Sequence, residues 1–279
     1  MTLNVVDPGA LTTVQDLGRP GFAHLGVPRA GALDAPAAAL GNRIVGNPPS
    51  AAVLETTLTG CTVRSLTGHW AAVTGAPCHV SIDGHEGAFA APVWVAPGAT
   101  LTVGPATAGV RSYIAIAGGV AVDPVLGSRS TDTLAWLGPP VVSAGMDLPI
   151  GVPEREPQAH DTPRRPVSGP LRLLPGPRAD WFTDPLVHLC ATSYAVGGAS
   201  NRIGLRLQGA PLVRVREGEL ASEGMVLGAV QVPPDGQPVV FLADHPVTGG
   251  YPVAAVVHPE DLHRCAQLRP GERVRFRRA

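Results

Sequence analysis

The sequence predicts a mainly β fold in two parts, and three observations carry that prediction. Short, apolar, β-branched runs recur along the chain and are cut by Gly, Pro or Asp-Gly, the pattern of strands joined by tight turns. Glycine and proline number 34 and 30 among 279 residues, which suits many short strands better than long helices. Residues 151–170 hold Pro153, Pro157, Pro163, Pro166 and Pro170 among charges, with no apolar period, and read as a linker or surface crossover. The expected organisation is therefore a first β-rich unit over 1–155, a linker over 156–170 and a second β-rich unit over 171–279. A chain of 279 residues is long enough to bury a real core.

Residues 3–6 form the first strand and Asp7-Pro8-Gly9 its turn. The loop 11–22 crowds Thr12, Thr13, Gln15, Asp16 and Arg19 between glycines. So many polar side chains with so little apolar anchorage mark a loop pinned by its own hydrogen bonds, a common setting for ligand contacts. The best helix follows. Asp34 is its N-cap, Pro36 lies in the first turn, Ala38, Leu40, Ile44 and Val45 give an apolar face, and Gly46 with Pro48-Pro49 ends it. From 52 to 120 the pattern is all β, with CTVRSL, WAAVT, CHVSI, PVWV, ATLTV and RSYIAIAGGV as strands and Asp83-Gly84 as a hairpin turn. In VLGSRSTDT, residues 125–133, the backbone of 127–131 and Arg129 have the makings of an anion site, although spacing alone describes an ordinary polar loop better. In the second half a strand begins at Leu171 and a short helix is expected over 184–191. Residues 212–216 and 273–277 read as alternating strands, apolar side in and arginine out. Residues 260–266 form a helical turn. Each half brings a buried strand to a Gly-Gly pair, Gly118-Gly119 and Gly249-Gly250, a faint internal echo.

Composition excludes several function classes. A net charge of −1 argues against nucleic acid or an anionic membrane as the main partner. The chain has no lysine, so all 21 basic residues are arginine. It therefore has no P-loop lysine, no Schiff-base lysine and no attachment point for biotin or lipoate. Cys61, Cys78, Cys190 and Cys265 are scattered without C-x-x-C, and the histidines lack H-E-x-x-H spacing. His79 and His85 flank the 83–84 hairpin but do not complete a ligand set, so no metal is expected and the cysteines read as buried free thiols. The opening MTLNVVDPG has no basic region followed by an apolar run, and no apolar stretch reaches membrane-spanning length. A soluble, cytoplasmic protein is expected, and the Ala/Gly/Pro/Arg bias suggests a bacterial source.

The stretch 200–257 concentrates polar residues between strands: Asn201, Arg202, Glu223, Gln231, Asp244, Thr248 and Tyr251. VVFLA, residues 239–243, reads as a strand buried on both faces that runs into Asp244 and then Gly249-Gly250, where backbone can approach a ligand closely. A tight turn with a capping aspartate explains the same residues equally well.

The segments GALTTVQDLGRPGF, AGALDAPAAALGNRIVGN, AAVLETTLTG, VLGSRSTDT, SNRIGLRL, ASEGMVLGAVQVPPDGQPVVFLAD, TGGYPVAAVV and QLRPGERVRF occur in order from end to end. With them the chain resembles the KipA family, whose members are also called the C-type component of 5-oxoprolinase, allophanate hydrolase subunit 2 or carboxyltransferase subdomains A and B. It differs from the common pattern at Ala30, where the family commonly has serine, and across Asp244–Thr248. The resemblance implies two cyclophilin-like β-barrel subdomains with a few short helices. It also implies a KipI-type partner (the B-type component of 5-oxoprolinase) and a third subunit, which together form an ATP-dependent 5-oxoprolinase, a hydrolase of a cyclic amide. With no G-x-x-x-x-G-K-[ST] here, ATP belongs to the complex. In that setting the chain is expected to position substrate and stabilise charge. Asp244 is the leading catalytic carboxylate, with Glu55 and Glu223 behind it. Gln15, Arg19, Asp34, Arg129, Ser130, Asn201, Arg202, Gln231, Thr248 and Tyr251 are the expected substrate contacts, with Arg129 or Arg202 on an anionic group. Two alternatives are a biotin-dependent carboxyltransferase component, with biotin on a separate protein, and a regulator that sequesters a KipI-type kinase inhibitor.

Overall fold

A computed structural model describes residues 1–158, 169–218 and 220–279. Most of the linker expected over 156–170 lies outside the described residues. The fold is mainly β with a few short helices, as the turn-rich sequence requires. Two compact units are distinguished: unit 1 comprises Met1–Arg19, Ala30–Asp132 and Trp136–Arg165, and unit 2 comprises Pro20–Arg29, Thr133–Ala135 and Pro166–Ala279.

Unit 1 is built from two antiparallel sheets. One has the strand order Asp147–Pro149, Thr2–Asp7, Cys61–Ser65, Thr100–Ala106, Cys78–Ile82, His85–Glu86. The other has the order Thr12–Gln15, Val53–Thr57, Arg111–Ile116, His69–Gly75, Val93–Val95. Alternate side chains of both sheets, among them Leu3, Val5, Val63, Leu101, Val73 and Ile114, share one apolar core. The opposite face of the second sheet packs Val53, Ala72, Tyr113 and Ala115 against Ala38, Ile44 and Val45 of the helix region. This is why Arg111–Ile116 is buried at every position: it carries core on both faces. The helix Ala35–Ile44 is capped as its sequence dictates, with Asp34 Oδ1 accepting from Ala37 N at 3.1 Å and proline in its first turn. Asp83 and Gly84 both take positive φ, 48° and 79°, and close the hairpin that pairs Ile82 with His85.

Unit 2 centres on an eight-stranded sheet that runs from Arg273–Val274 at one edge to Phe276–Arg278 at the other. Only Arg275 separates these two strands in the chain, so the sheet nearly closes into a barrel. Val274 and Phe276 are buried, and Arg273, Arg275 and Arg277 are exposed, as alternation requires. The expected helix appears as Pro185–Ala191, and the helical turn as Pro259–Asp261 followed by Leu262–Cys265.

Two expectations fail. Residues 212–216 form no strand; the segment makes only an isolated bridge between Phe182 and Arg214. Its alternation is also inverted, with Val213 and Val215 exposed at 75% and 58%. Arg214 instead donates to Val232 O at 2.7 Å and lies 5.8 Å from the Tyr251 ring centroid, and these long-range contacts outweigh the local alternation. The Gly-Gly echo is also only a matter of sequence. Gly118 and Gly119 have φ of 91° and 69°, whereas Gly249 and Gly250 are absent from the positive-φ residues and Gly249 pairs with Glu223 in a short ladder. Among the described residues, no helix is long and apolar enough to cross a membrane.

Candidate functional site

The polar residues picked from sequence gather into separate constellations in each unit. In unit 1 Thr12–Gln15, part of the expected loop 11–22, is instead a strand of the second sheet, and the turn that follows it is tied through Asp16 to residues 128–130. The Asp16 carboxylate accepts from Ser128 Oγ and Ser130 Oγ, both at 2.6 Å, from Arg129 N at 2.6 Å and from Gly18 N at 2.8 Å. Ser130 N donates to Ser128 Oγ and Thr131 N to Val14 O. The turn 127–131 thus spends its central N–H groups internally, and Asp16 rather than a bound anion organises it. Arg19, 1% exposed, donates from Nε to Val125 O at 3.3 Å and from a terminal nitrogen to Ser130 O. Gln15 is fully buried and donates to Thr13 Oγ1 and Thr131 O, both at 2.9 Å. Ser130 is likewise fully buried.

Glu55 sits deeper in the same unit. Its Oε2 accepts from Leu33 N at 3.0 Å and from the Tyr113 hydroxyl at 2.8 Å, and Arg111 Nε lies 3.5 Å from Oε1. The same hydroxyl accepts from Asp34 N at 2.7 Å. Burial first, then the nearby Glu55 and Asp34 charges, push the Tyr113 phenol well above its ordinary pKa. This network fixes the entry of the helix Ala35–Ile44 and the turn before it, where Ala30 takes φ of 53°.

In unit 2 Asp244, fully buried, forms a two-pronged ion pair with Arg202, which is 1% exposed: Nε to Oδ2 and Nη2 to Oδ1, both at 2.9 Å. Oδ2 also accepts from Thr133 N at 3.0 Å and Thr133 Oγ1 at 2.7 Å. Asn201 Oδ1 accepts from Ile203 N and Gly204 N, an Asx turn at the start of the strand Gly204–Gln208. Gln231 Nε2 donates to Tyr251 O at 3.2 Å. Glu223 pairs with Arg178 and stands in the ladder Glu223–Gly224 with Thr248–Gly249, leaving Thr248 and Tyr251 exposed. Side-chain exposure separates the three carboxylates: 0% for Asp244, 1% for Glu55 and 25% for Glu223. As arranged, only Glu223 is open to a ligand.

The braces Asp16, Tyr113, Thr133 and Arg178 were not singled out as site residues from sequence. Asp16-x-Gly18 carries an Asx-turn signal; the other three have none, because their partners lie far away in the chain. Unit 1 also has an open cleft of about 280 Å³ lined by Asn47, Ser50, Gly118, Gly119, Arg129 and Glu154 among others. Unit 2 has an apolar groove of about 190 Å³ whose lining includes Phe182, Pro185, His188 and Val213. No cluster of three or more potential metal ligands occurs among the described residues.

Residues 25–278 match the family model described as carboxyltransferase domain, subdomain A and B. The chain belongs to that family. It is 38% identical over 285 residues to the C-type component of 5-oxoprolinase from Escherichia coli, a match covering 98% of this chain and 90% of the relative. It is 32% identical over 306 residues to urea amidolyase of Saccharomyces cerevisiae, a match covering 98% of this chain and 16% of that one. Among solved structures, that of TTHA0988 has a TM-score of 0.89 at 38% identity and covers 99% of this chain and 55% of its own. The Kluyveromyces lactis urea amidolyase has a TM-score of 0.91 at 30% identity, covering 99% of this chain and 18% of its own. This carboxyltransferase-domain chain thus spans about half the length of TTHA0988 and a smaller share of the urea amidolyase.

Proposed function

We propose that the chain is one subunit of an ATP-dependent 5-oxoprolinase, converting 5-oxo-L-proline, ATP and water to L-glutamate, ADP and phosphate. The observation that carries this is the end-to-end match to the C-type component of 5-oxoprolinase, whereas the matched urea amidolyase is several times longer than the shared region. A lactam is a poor electrophile. Phosphorylating its oxygen activates the ring carbon: one water adds there and the ring nitrogen departs as an amine, leaving an acyl phosphate, and a second water releases phosphate from that acyl phosphate as the carboxylate forms. The sequence has no P-loop and no lysine, so the nucleotide is assigned to the complex, with a KipI-type protein and a third subunit as partners. This chain's contribution is positioning and charge stabilisation. Asp244 and Glu55 act as braces: Asp244 accepts four hydrogen bonds, Glu55 accepts from Leu33 N and the Tyr113 hydroxyl beside Arg111, and with side-chain exposures of 0% and 1% neither has a path to a substrate proton. Deleting the gene in its source organism tests the reading. Accumulation of 5-oxoproline, reversed by the intact gene, is expected; an unchanged 5-oxoproline pool contradicts it.

The family model and the urea amidolyase matches favour a second reading, a carboxyltransferase component. Biotin would then arrive on another protein, since no lysine is present to carry it. Loss of activity on adding avidin would favour this reading over the first.

A further inference from the structure

We propose that the open cleft of unit 1 is a binding site for a small carboxylate that also carries an N–H donor, with Arg129 as its anion clamp. Under the 5-oxoprolinase reading, on which the identity of the ligand rests, that molecule is 5-oxo-L-proline. Either Arg129 or Arg202 was expected at an anionic group, and the geometry separates them. The guanidinium of Arg202 is committed to Asp244. Arg129 uses only Nε, which donates to Val122 O at 2.7 Å, while its backbone N–H is held by Asp16 at 2.6 Å. Its two terminal nitrogens make no hydrogen bond among the described residues, and Arg129 is one of the residues lining the cleft. An arginine fixed at Nε and backbone with both terminal nitrogens unspent is prepared for bidentate recognition of a carboxylate. Glu154 lines the same cleft, exposed and forming no ion pair with Arg129. One cleft therefore offers an anion clamp and an acceptor for an N–H group. Its volume, about 280 Å³, lies just below the ~300–1,000 Å³ of sites for drug-sized ligands and suits a small metabolite.

The backbone around the cleft is tied together by hydrogen bonds. Gly118 N donates to Asn47 Oδ1 at 2.8 Å, and Asn47 Nδ2 donates to Ile116 O at 2.7 Å. Gly151 N donates to Gly119 O at 3.0 Å. A Cβ on Gly118 would stand 2.2 Å from Gly151 O, so the two segments meet where neither can carry a side chain. Such a wall changes little on binding, which lowers the ordering cost for a weakly held ligand.

The test is calorimetric titration of the full chain with 5-oxo-L-proline and with pyrrolidin-2-one, the same ring without its carboxylate. It is run on the wild type, Arg129→Gln, Arg129→Lys and Glu154→Gln. The expected result is saturable binding of 5-oxo-L-proline, none of pyrrolidin-2-one, and a Kd raised tenfold or more by Arg129→Gln and less by Arg129→Lys. An equal Kd for the wild type and Arg129→Gln overturns the proposal. If Arg129→Gln does not fold, amide NMR of the wild type decides. Ligand-induced shifts at Gly118, Gly119 and Gly151 support the site, and their absence at saturating ligand overturns it. Glutamate release by the assembled complex separates this proposal from the functional reading. Glutamate release without glycine shifts leaves the reading standing and removes the site. Arg129-dependent binding without glutamate release keeps the site as one for small carboxylates and removes the reading.

Discussion

At the residue scale the decisive feature is how few of the polar side chains face solvent. Arg202 and Asp244 form a buried pair, and Thr133 completes the carboxylate's shell. Removing one partner leaves an uncompensated buried charge. Asp244→Ala should therefore cost about 3–5 kcal/mol in urea unfolding. Asp244→Asn keeps the shape and loses the charge. If Asp244 is a brace, the folded fraction of that variant retains kcat within about threefold, whereas a general base would lose ~10²–10⁴. Tyr113→Phe is expected to lower stability by about 1–3 kcal/mol, because it strips Glu55 of a donor and leaves Asp34 N unmatched in a buried site. These roles were invisible in the sequence for a physical reason. VLETT shows a lone acid in an apolar run, but Leu33, Arg111 and Tyr113, which make it a brace, come from distant parts of the chain.

At the scale of elements, local chemistry was legible wherever the partners are near in sequence. Asp34 and Pro36 announce the start of the helix, and Asp83-Gly84 announces a hairpin whose φ values only such residues tolerate well. The failure at 212–216 shows the limit. Alternation sets which faces are apolar, yet Arg214 gained more from the Val232 carbonyl and the Tyr251 ring than the segment gained from pairing as a strand. The two Gly-Gly pairs make the same point and give a prediction. Gly118→Ala forces Cβ to 2.2 Å from a backbone oxygen at φ of 91°. Gly249→Ala brings Cβ to 2.7 Å from the end of the flexible Gln231 side chain. Thermal melts should show a clearly larger loss for Gly118→Ala; equal losses would mean that the wall of the cleft yields more readily than its contacts imply.

At the scale of the whole molecule, the β-rich character was legible from turn spacing alone. The near-closure of the second sheet was not, because it depends on two strands split by the single residue Arg275 reaching opposite edges. Barrel stability also has a pH signature. Arg172 hydrogen bonds hold the Asp261 carboxyl well below the usual carboxylate range and tie the strand Leu171–Pro175 to the turn Pro259–Asp261. A depressed folded-state pKa contributes stability above the unfolded value near ~4, and that contribution is lost as pH falls towards the folded value. The urea midpoint of Asp261→Asn should therefore lie below wild type at pH 7, with the gap narrowing steadily below about pH 4. A gap independent of pH would mean that Asp261 acts through packing alone.

Membership of an ATP-dependent complex, as proposed above, can be checked by one reconstitution. The purified chain is combined with the proposed KipI-type protein and third subunit, and glutamate release from 5-oxo-L-proline and ATP is followed while each protein is omitted in turn. Glutamate is expected only when all are present, independent of bicarbonate and unaffected by avidin. A demonstrably assembled complex that releases no glutamate, or one that runs equally well without this chain, would contradict it.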